Sequence, residues 1–349
     1  MDRVADWLTG ISTSDRRSME KVERLLEREG IRRDRNLDYT CGVFDDDGEL
    51  IATGSCFGPT IRCLAVSDEH RGEGLLNRVV SHLMEEQSRR GNTRVFLYTK
   101  CRSARFFGDL GFYEIARVDD RLVFMENRRT GFADYCARLA QTRTAGTSAA
   151  IVMHANPFTR GHLHLVEQAA AENDTVHLFI LSEECGPIPF AVRRRLVQEG
   201  VAHLPNVICH DSGPYIISSA TFPSYFLRDE DEVVETHARL DVAVFGRIAA
   251  ALGIIRRYVG EEPNSRVTAS YNRIMAAHLP ERGIECRIIP RLTENGRVIS
   301  ASAVRQAIHD GELDTVLDML PPATAAYFTS PEAAPVIAAI RGSDHVIHH

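Results

Sequence analysis

Lysine is nearly missing from this chain. Lys21 and Lys100 are the only two among 41 lysine and arginine residues, and none follows residue 100. A Walker-type phosphate loop needs a glycine–lysine pair, and neither lysine follows glycine. Schiff-base chemistry in the last two thirds is excluded as well, because it requires an amine nucleophile. Phosphate bound there must be met by arginine, histidine, hydroxyls, backbone N–H groups or a metal. Cys-x-x-Cys pairs are also missing. The eight cysteines (Cys41, Cys56, Cys63, Cys101, Cys136, Cys185, Cys209 and Cys286) are scattered, which suits neither a zinc site nor a disulfide framework. No apolar run is long enough to span a membrane: the most apolar stretch, Val242 to Val259, is broken by Arg247, Arg256 and Arg257. The first residues lack the basic-then-apolar order of a secretory signal, so a reduced cytoplasm is expected. A net charge of −7 offers no basic footprint for nucleic acid.

What is present is ordinary globular material. With 349 residues, 44% hydrophobic and 26% charged, the chain has room for two or three domains of roughly 100–200 residues each. Residues 14–30 read as an amphipathic helix, with Ser14 as N-cap and Gly30 as stop. Extended runs follow at Leu37–Phe44 and Glu49–Phe57, joined by the turn signal Asp45-Asp46-Asp47-Gly48. Thr60–Val66, Arg94–Tyr98, Phe112–Arg117 and Leu122–Glu126 read as further strands, Leu75–Arg90 and Ala104–Leu110 as helices. The first part is therefore mixed α+β.

The texture changes after Arg128. A helix at Phe132–Gln141 leads into the polar stretch Thr142–Ser148, and strands then alternate with helices. Strands are expected at Ala149–Met153, Val176–Leu181, Val207–His210, Val242–Phe245, Arg256–Val259 and Glu285–Ile289. Helices are expected at Leu163–Glu172, Phe190–Leu204 and Pro331–Ile340. Such alternation predicts a parallel, doubly wound sheet whose ligands lie beyond the carboxyl ends of its strands. The loops after Met153, Val259 and Ile289 are the places to look. The predicted division is 1–130, a helical linker 131–148, 149–330, and a tail 331–349.

Arg71-Gly72-Glu73-Gly74 sits between a predicted strand and helix, where glycines let backbone N–H groups converge on an anion. With Cys63-Leu64-Ala65-Val66 before it and Ala104-Arg105-Phe106-Phe107-Gly108-Asp109-Leu110-Gly111-Phe112 after it, this region resembles the GNAT acetyltransferase family. The resemblance implies that Val66, Arg71, Gly72, Gly74 and Leu75 bind a coenzyme-A moiety. Leu76 stands where that family favours glycine or alanine. Phe107 stands where many of its enzymes carry a tyrosine that protonates the leaving thiolate, and phenylalanine has no proton to give.

His154-Ala155-Asn156-Pro157-Phe158-Thr159-Arg160-Gly161-His162 follows the first predicted strand of the second half. It resembles the (H/T)xGH motif of the nucleotidyltransferase superfamily. Ile299-Ser300-Ala301-Ser302-Ala303-Val304-Arg305 resembles the same superfamily's ISxSxxR motif. The pair implies a site for ATP. His162 would donate to the α-phosphate as charge develops, next to Thr159. Ser302, read as a helix N-cap, and Arg305 would clamp the β- and γ-phosphates. Asn156, Pro157, Phe158, Gly161 and Ser300 would complete the ATP contacts. His154 and His164 flank the loop without an obvious metal partner, and Arg193-Arg194-Arg195 reads as an exposed helix face.

The middle of the second half narrows the resemblance. Ser224-Tyr225-Phe226-Leu227, Ala243-Val244-Phe245-Gly246-Arg247, Val259-Gly260-Glu261-Glu262-Pro263, Val267-Thr268-x-x-Tyr271-Asn272 and the Ala323–Ile340 tail resemble the citrate lyase ligase family, as does the order of the two halves. This implies that ATP, with Mg2+ as counter-ion, and acetate form acetyl-adenylate. The acetyl group would then pass to the thiol of the phosphoribosyl-dephospho-coenzyme-A group on the citrate lyase acyl-carrier subunit. Gly260 would lie by the base, Arg247 would contact the α-phosphate or acetate, and Arg228 would be a further phosphate contact. No nucleic acid, membrane or dedicated metal site is implied. Two other readings compete: an adenylyltransferase of a phosphorylated cofactor with a fused acetyltransferase, and a non-catalytic sensor of coenzyme A and nucleotide. Because arginine stays charged, the pH dependence of adenylation is expected to report His162.

Overall fold

A computed structural model describes residues 6–227, 229–262, 265–294 and 296–343. Its packing divides the chain into two units. One comprises residues up to Phe132 together with Pro223–Thr236, and the other comprises Ala133–Phe222 and His237 onward.

The first unit is built on one seven-stranded sheet: β1 (Trp7–Gly10), β2 (Tyr39–Phe44), β3 (Leu50–Phe57), β4 (Thr60–Val66), β5 (Phe96–Thr99), β6 (Tyr113–Val118) and β7 (Leu122–Glu126). The spatial order is β1-β2-β3-β4-β5-β7-β6. Helices α1 (Arg16–Arg28), α2 (Leu75–Arg89) and α3 (Ala104–Asp109) cover it. The cap of α1 is Asp15 rather than the expected Ser14, its carboxylate accepting the Ser18 N–H at 3.1 Å. Strand β1, not foreseen, is four residues long and largely exposed, too short for an alternation signal.

β4 and β5, the parallel pair, hold together only at Thr60–Phe96 and Ile61–Leu97, and then part. Cys63, with φ +51°, marks the bend in β4. Into the wedge comes Tyr225, from far along the sequence. Its hydroxyl donates to the Tyr98 carbonyl at 3.5 Å. Its ring is buried with Leu25, Leu26, Phe44, Cys63 and Ala65. Arg32 pins this segment, its backbone N–H donating to Tyr225 O at 2.7 Å and its guanidinium to Ser224 O and Leu227 O. The expected second domain, drawn as continuous from 149 to 330, contains no such excursion.

The second unit is a five-stranded, all-parallel sheet of β8 (Ser148–Met153), β9 (Thr175–Ile180), β10 (Val207–Asp211), β11 (Ile254–Gly260) and β12 (Glu285–Ile289). The order β10-β9-β8-β11-β12 makes the β8/β11 boundary the point where strand order reverses. Helix α4 (Gly131–Ala140) leads into it, and α5 (Arg160–Glu172), α6 (Phe190–Gly200), α7 (Glu230–Leu252) and α8 (Arg266–His278) connect its strands. A short hairpin of β13 (Thr293–Glu294) and β14 (Arg297–Val298) precedes α9 (Ala301–Asp310), α10 (Pro322–Phe328) and α11 (Ala334–Arg341). These last helices share a core with α6, including Leu196, Val304, Ile308, Phe328 and Val336.

Three expectations are corrected. Val242–Phe245 is not a strand but the middle of α7, where Val242, Val244, Phe245 and Ile248 are all buried. A short apolar run looks alike in a strand and in a helix buried on several sides. Helix α5 starts at Arg160, three residues before the expected Leu163, so Gly161 and His162 belong to its first turn. Ser300, not Ser302, is the N-cap of α9, accepting the Ala303 N–H at 3.1 Å.

Candidate active site

In the second unit, the loop after β8 crosses the switch point. It leaves the strand through Ala155, held at φ +53°, a conformation an L-residue adopts only under constraint. Arg193 supplies much of that constraint. It is fully buried rather than part of an exposed face, and its guanidinium donates to four carbonyls: His154 (2.8 Å), Leu181 (2.9 Å), Glu183 (2.6 Å) and Ile188 (3.2 Å). The loops following β8 and β9 are thereby tied to α6. Arg194 pairs with Asp211 and Arg195 with Glu332.

Asn156 is 3% exposed, and neither its amide oxygen nor its amide nitrogen has a hydrogen-bond partner. Burying such a group unsatisfied costs about 1–3 kcal/mol, a cost that a polar ligand atom at this place would relieve. The neighbouring Pro157 leads to Phe158, which is wholly buried against Gly200 and stacks on His162 with centroids 5.9 Å apart. Thr159 caps α5. Its hydroxyl accepts the His162 N–H at 3.4 Å, while its own N–H donates to His162 Nδ1 at 3.1 Å. This is a capping box in which histidine takes the usual Glu/Gln place.

The half-buried His162 imidazole is pushed down to about 4, by burial first and then by the charges of Arg291 and Arg305. At neutral pH the ring is uncharged, with its proton on Nε2. At Gly161 a side chain would bring Cβ within 3.2 Å of the Ile299 carbonyl, so any other residue would push the first turn of α5 and the segment before α9 apart by a few tenths of an ångström. On that segment Ser300 and Ser302 touch through their hydroxyls at 3.2 Å. Arg305 is 4% exposed and donates to the Asn156 carbonyl at 2.5 Å. Burial lowers it to about 10, leaving it cationic at neutral pH.

Asn156, Phe158, Thr159, Gly161, His162, Ser300, Ser302 and Arg305 are therefore brought together. Gly260 ends β11 across the switch point, its carbonyl held by Asn272 at 3.0 Å, with open space where a side chain would be. Arg247 is not brought in. It is exposed on α7, one residue after Gly246, whose missing side chain leaves room for Arg282 at the amino end of β12. Arg228 and Pro263 lie outside the described residues. Arg291, just past the end of β12, was not singled out from the sequence, although the loop after Ile289 was. Among the described residues no group of three or more His, Cys, Asp or Glu side chains is placed to hold a metal.

In the first unit, Gly72 (φ +89°) and Gly74 (φ +77°) bring the chain into α2, whose amino end carries no side-chain cap. The glycine turn is exposed beside Arg71, which pairs with Glu29 and Asp68 at 2.5 Å each. An uncapped helix start with adjacent glycines suits a phosphate. Leu75 anchors the helix in the core, and Val66 packs at its edge. Phe107 is buried edge-on against Phe106 and Phe112, a packing residue.

Comparisons with known proteins agree with both halves. The GNAT acetyltransferase family profile matches residues 2–112, and the citrate lyase ligase C-terminal domain profile matches 148–328. The [citrate [pro-3S]-lyase] ligase of Klebsiella pneumoniae is 34% identical over 90% of this chain and 93% of its own. That of Escherichia coli is 36% identical over 92% and 93%. A phosphopantetheine adenylyltransferase from Staphylococcus haemolyticus is 35% identical over 19% of this chain and 43% of its own. Among solved structures, an acyl-CoA N-acyltransferase from Pseudomonas aeruginosa covers 36% of this chain and 100% of its own, at 17% identity and TM-score 0.31. With a GNAT-like first unit, a nucleotidyltransferase-like second unit and relatives matched over nearly their whole length, this chain belongs to the citrate lyase ligase family of enzymes.

Proposed function

We propose that the chain is an ATP-dependent acid–thiol ligase. Acetate attacks the α-phosphorus of ATP, the bond to the β-phosphate oxygen breaks, and acetyl-AMP and pyrophosphate form. The thiol of the phosphoribosyl-dephospho-coenzyme-A group on the citrate lyase acyl-carrier subunit then attacks the acetyl carbonyl, and AMP leaves. Mg2+ enters on the nucleotide, bound through phosphate oxygens and water.

The observation that carries this reading is the neutral His162, its Nδ1 occupied by Thr159 and Nε2–H free to donate at the amino end of α5. A neutral donor strengthens toward a phosphorus centre as charge builds and costs no proton transfer. The unpartnered Asn156 amide supports a polar ligand at the same place. Arg305 supplies positive charge without lysine.

The first unit has a different task in this proposal: it holds the carrier's coenzyme-A-like arm at Arg71, Gly72 and Gly74. Phe107 has no proton for a leaving thiolate, and Tyr225 fills the wedge between β4 and β5, which supports holding rather than independent acetyl transfer.

The test is acetylation of deacetylated carrier protein with ATP and acetate, alongside acetate-dependent ATP–pyrophosphate exchange. Exchange that needs a phosphomonoester instead of acetate would favour a cofactor adenylyltransferase. Nucleotide binding without turnover would favour a sensor.

A further inference from the structure

Beyond β11 and β12 lies a rim of chain in which Arg291 and Leu292 belong to none of the motifs. The Glu261 N–H donates to Ile289 O at 2.9 Å, joining the two strand ends. Arg291 Nε donates to the Glu261 carbonyl at 3.0 Å, and its Nη2 is ion-paired with the Glu262 carboxylate. The next residue, Leu292, accepts the Ile299 N–H at 3.0 Å, and the Ile299 carbonyl rests on Gly161 in the first turn of α5. Arg291 is thus linked by consecutive contacts to the place where His162 stands.

We propose that Arg291 is a phosphate contact of the adenylation site, stored on Glu262 in the free enzyme and released to the nucleotide's phosphates when ATP binds. This rests on the adenylation reading above. Three observations carry it. The Arg291 side chain is only 19% exposed, yet Nη1 has no hydrogen-bond partner among the described residues. Arg305, the arginine of the motif, already spends Nη1 on the Asn156 carbonyl. Arg160, the other arginine of this rim, has both terminal nitrogens on Glu294 and a further bond to Asp318 O, so it is a structural tie. The positive charge of Arg291 also helps to lower the proton affinity of His162, after burial.

The exchange has a simple electrostatic logic. A triphosphate carries more negative charge than one carboxylate and so competes with Glu262 for Arg291. While ATP is absent, Glu262 keeps a partly buried guanidinium paired. Once ATP is present, the guanidinium has a more highly charged partner with bidentate geometry available. Glu262 is 31% exposed and can turn to water.

A merely structural pair and an exchanging pair predict different signs. The experiment titrates the full chain with ATP and records acetate-dependent pyrophosphate exchange and thermal melting for Arg291→Gln, Arg291→Lys and Glu262→Gln. The expected result is that Arg291→Gln weakens ATP binding by about tenfold or more, and Arg291→Lys recovers part of the loss. Glu262→Gln, which frees the arginine, should tighten ATP by about three- to tenfold. If both substitutions weaken ATP alike, or neither changes it, Arg291 is a structural tie and the proposal fails. If the signs are opposite but the unmodified chain shows no acetate-dependent exchange, the adenylation reading fails and the nucleotide contact stands.

Discussion

The backbone N–H of Thr159 points at Nδ1 of His162 from 3.1 Å. An amide N–H can only donate, so Nδ1 must offer its lone pair, and the neutral ring carries its proton on Nε2. One capping interaction therefore starts α5 and also selects the tautomer that faces the site. Helix capping by Thr159 and a catalytic role for His162 are one arrangement.

The pH dependence follows, and it differs from the sequence expectation. His162 lies at about 4 in the folded chain, against roughly 6.5 unfolded. His177 and His210, stacked on adjacent strands and 2.9 Å apart, are also pushed down to about 4 by burial. Folding favours the neutral form of each, so their contribution to stability is full above about pH 6.5 and is lost as pH falls toward 4. Thermal unfolding from pH 4 to 8 should show a plateau above neutrality and a decline on the acid side. Proton NMR should find no His162 titration between pH 6 and 8, so the adenylation profile there will not report this ring.

Replacing His162 with alanine should lower acetate-dependent ATP–pyrophosphate exchange by about 10²–10³-fold, the usual cost of one transition-state donor. The lost capping bond adds only about 1 kcal/mol of destabilisation. A melting curve with a small shift beside a collapsed exchange rate is the expected pair of results. Collapse of both together would mean that His162 serves mainly to fold the loop.

Asn156→Leu should separate stability from binding. The substitution removes two unsatisfied buried polar atoms at nearly constant volume, so melting should be unchanged or raised. ATP affinity should fall by about tenfold or more, since the amide then has nothing to offer the ligand. Calorimetric titration and a thermal melt on the same sample check both.

Arg71→Ala should weaken the carrier protein's interaction while leaving acetate-dependent pyrophosphate exchange intact. Arg71 is itself exposed, one partner, Asp68, is exposed and the other, Glu29, is 10% exposed, so a modest loss of stability accompanies the change. Equal loss of exchange would end the proposed division of labour between the units.

Tyr225 gives a stability prediction. Its ring fills the α1 side of the β4–β5 wedge and its hydroxyl donates to the Tyr98 carbonyl. Tyr225→Ala should destabilise the first unit by about 3–5 kcal/mol, as other buried aromatic truncations do. Tyr225→Phe should cost only about 0.5–1.5 kcal/mol, the net worth of one hydrogen bond. Thermal melting of the two variants reads the difference.

Apart from β1, the strands of both sheets were legible because their alternation or continuous burial is local. Thr60–Val66, Leu122–Glu126 and Glu285–Ile289 coincide with their expected limits. The residues from Asn156 to His162 were singled out by their resemblance to the nucleotidyltransferase motif, and they lie together because they are local in sequence. Arg193 was not, since an arginine in a run of three looks solvated until four carbonyls are folded around it. Arg291 was missed for a related reason: its partners Glu261 and Glu262 are some thirty residues away and meet it only through the β11–β12 pairing. Tyr225 stood in a motif of the family resemblance, but nothing local says that its ring belongs to the other unit's core.

That last placement has a consequence for the order in which this chain is made. Synthesis proceeds at roughly 5–20 residues per second, and Tyr225 emerges well after Phe132 has completed the rest of the first unit. Until then β4 and β5 stand apart with backbone groups unpaired and the surrounding apolar side chains uncovered. Exposed strand edges of this kind pair readily with other chains. A nascent or truncated N-terminal half is therefore the aggregation-prone species of this protein, and its protection comes from residues that belong, by sequence, to the other enzyme half.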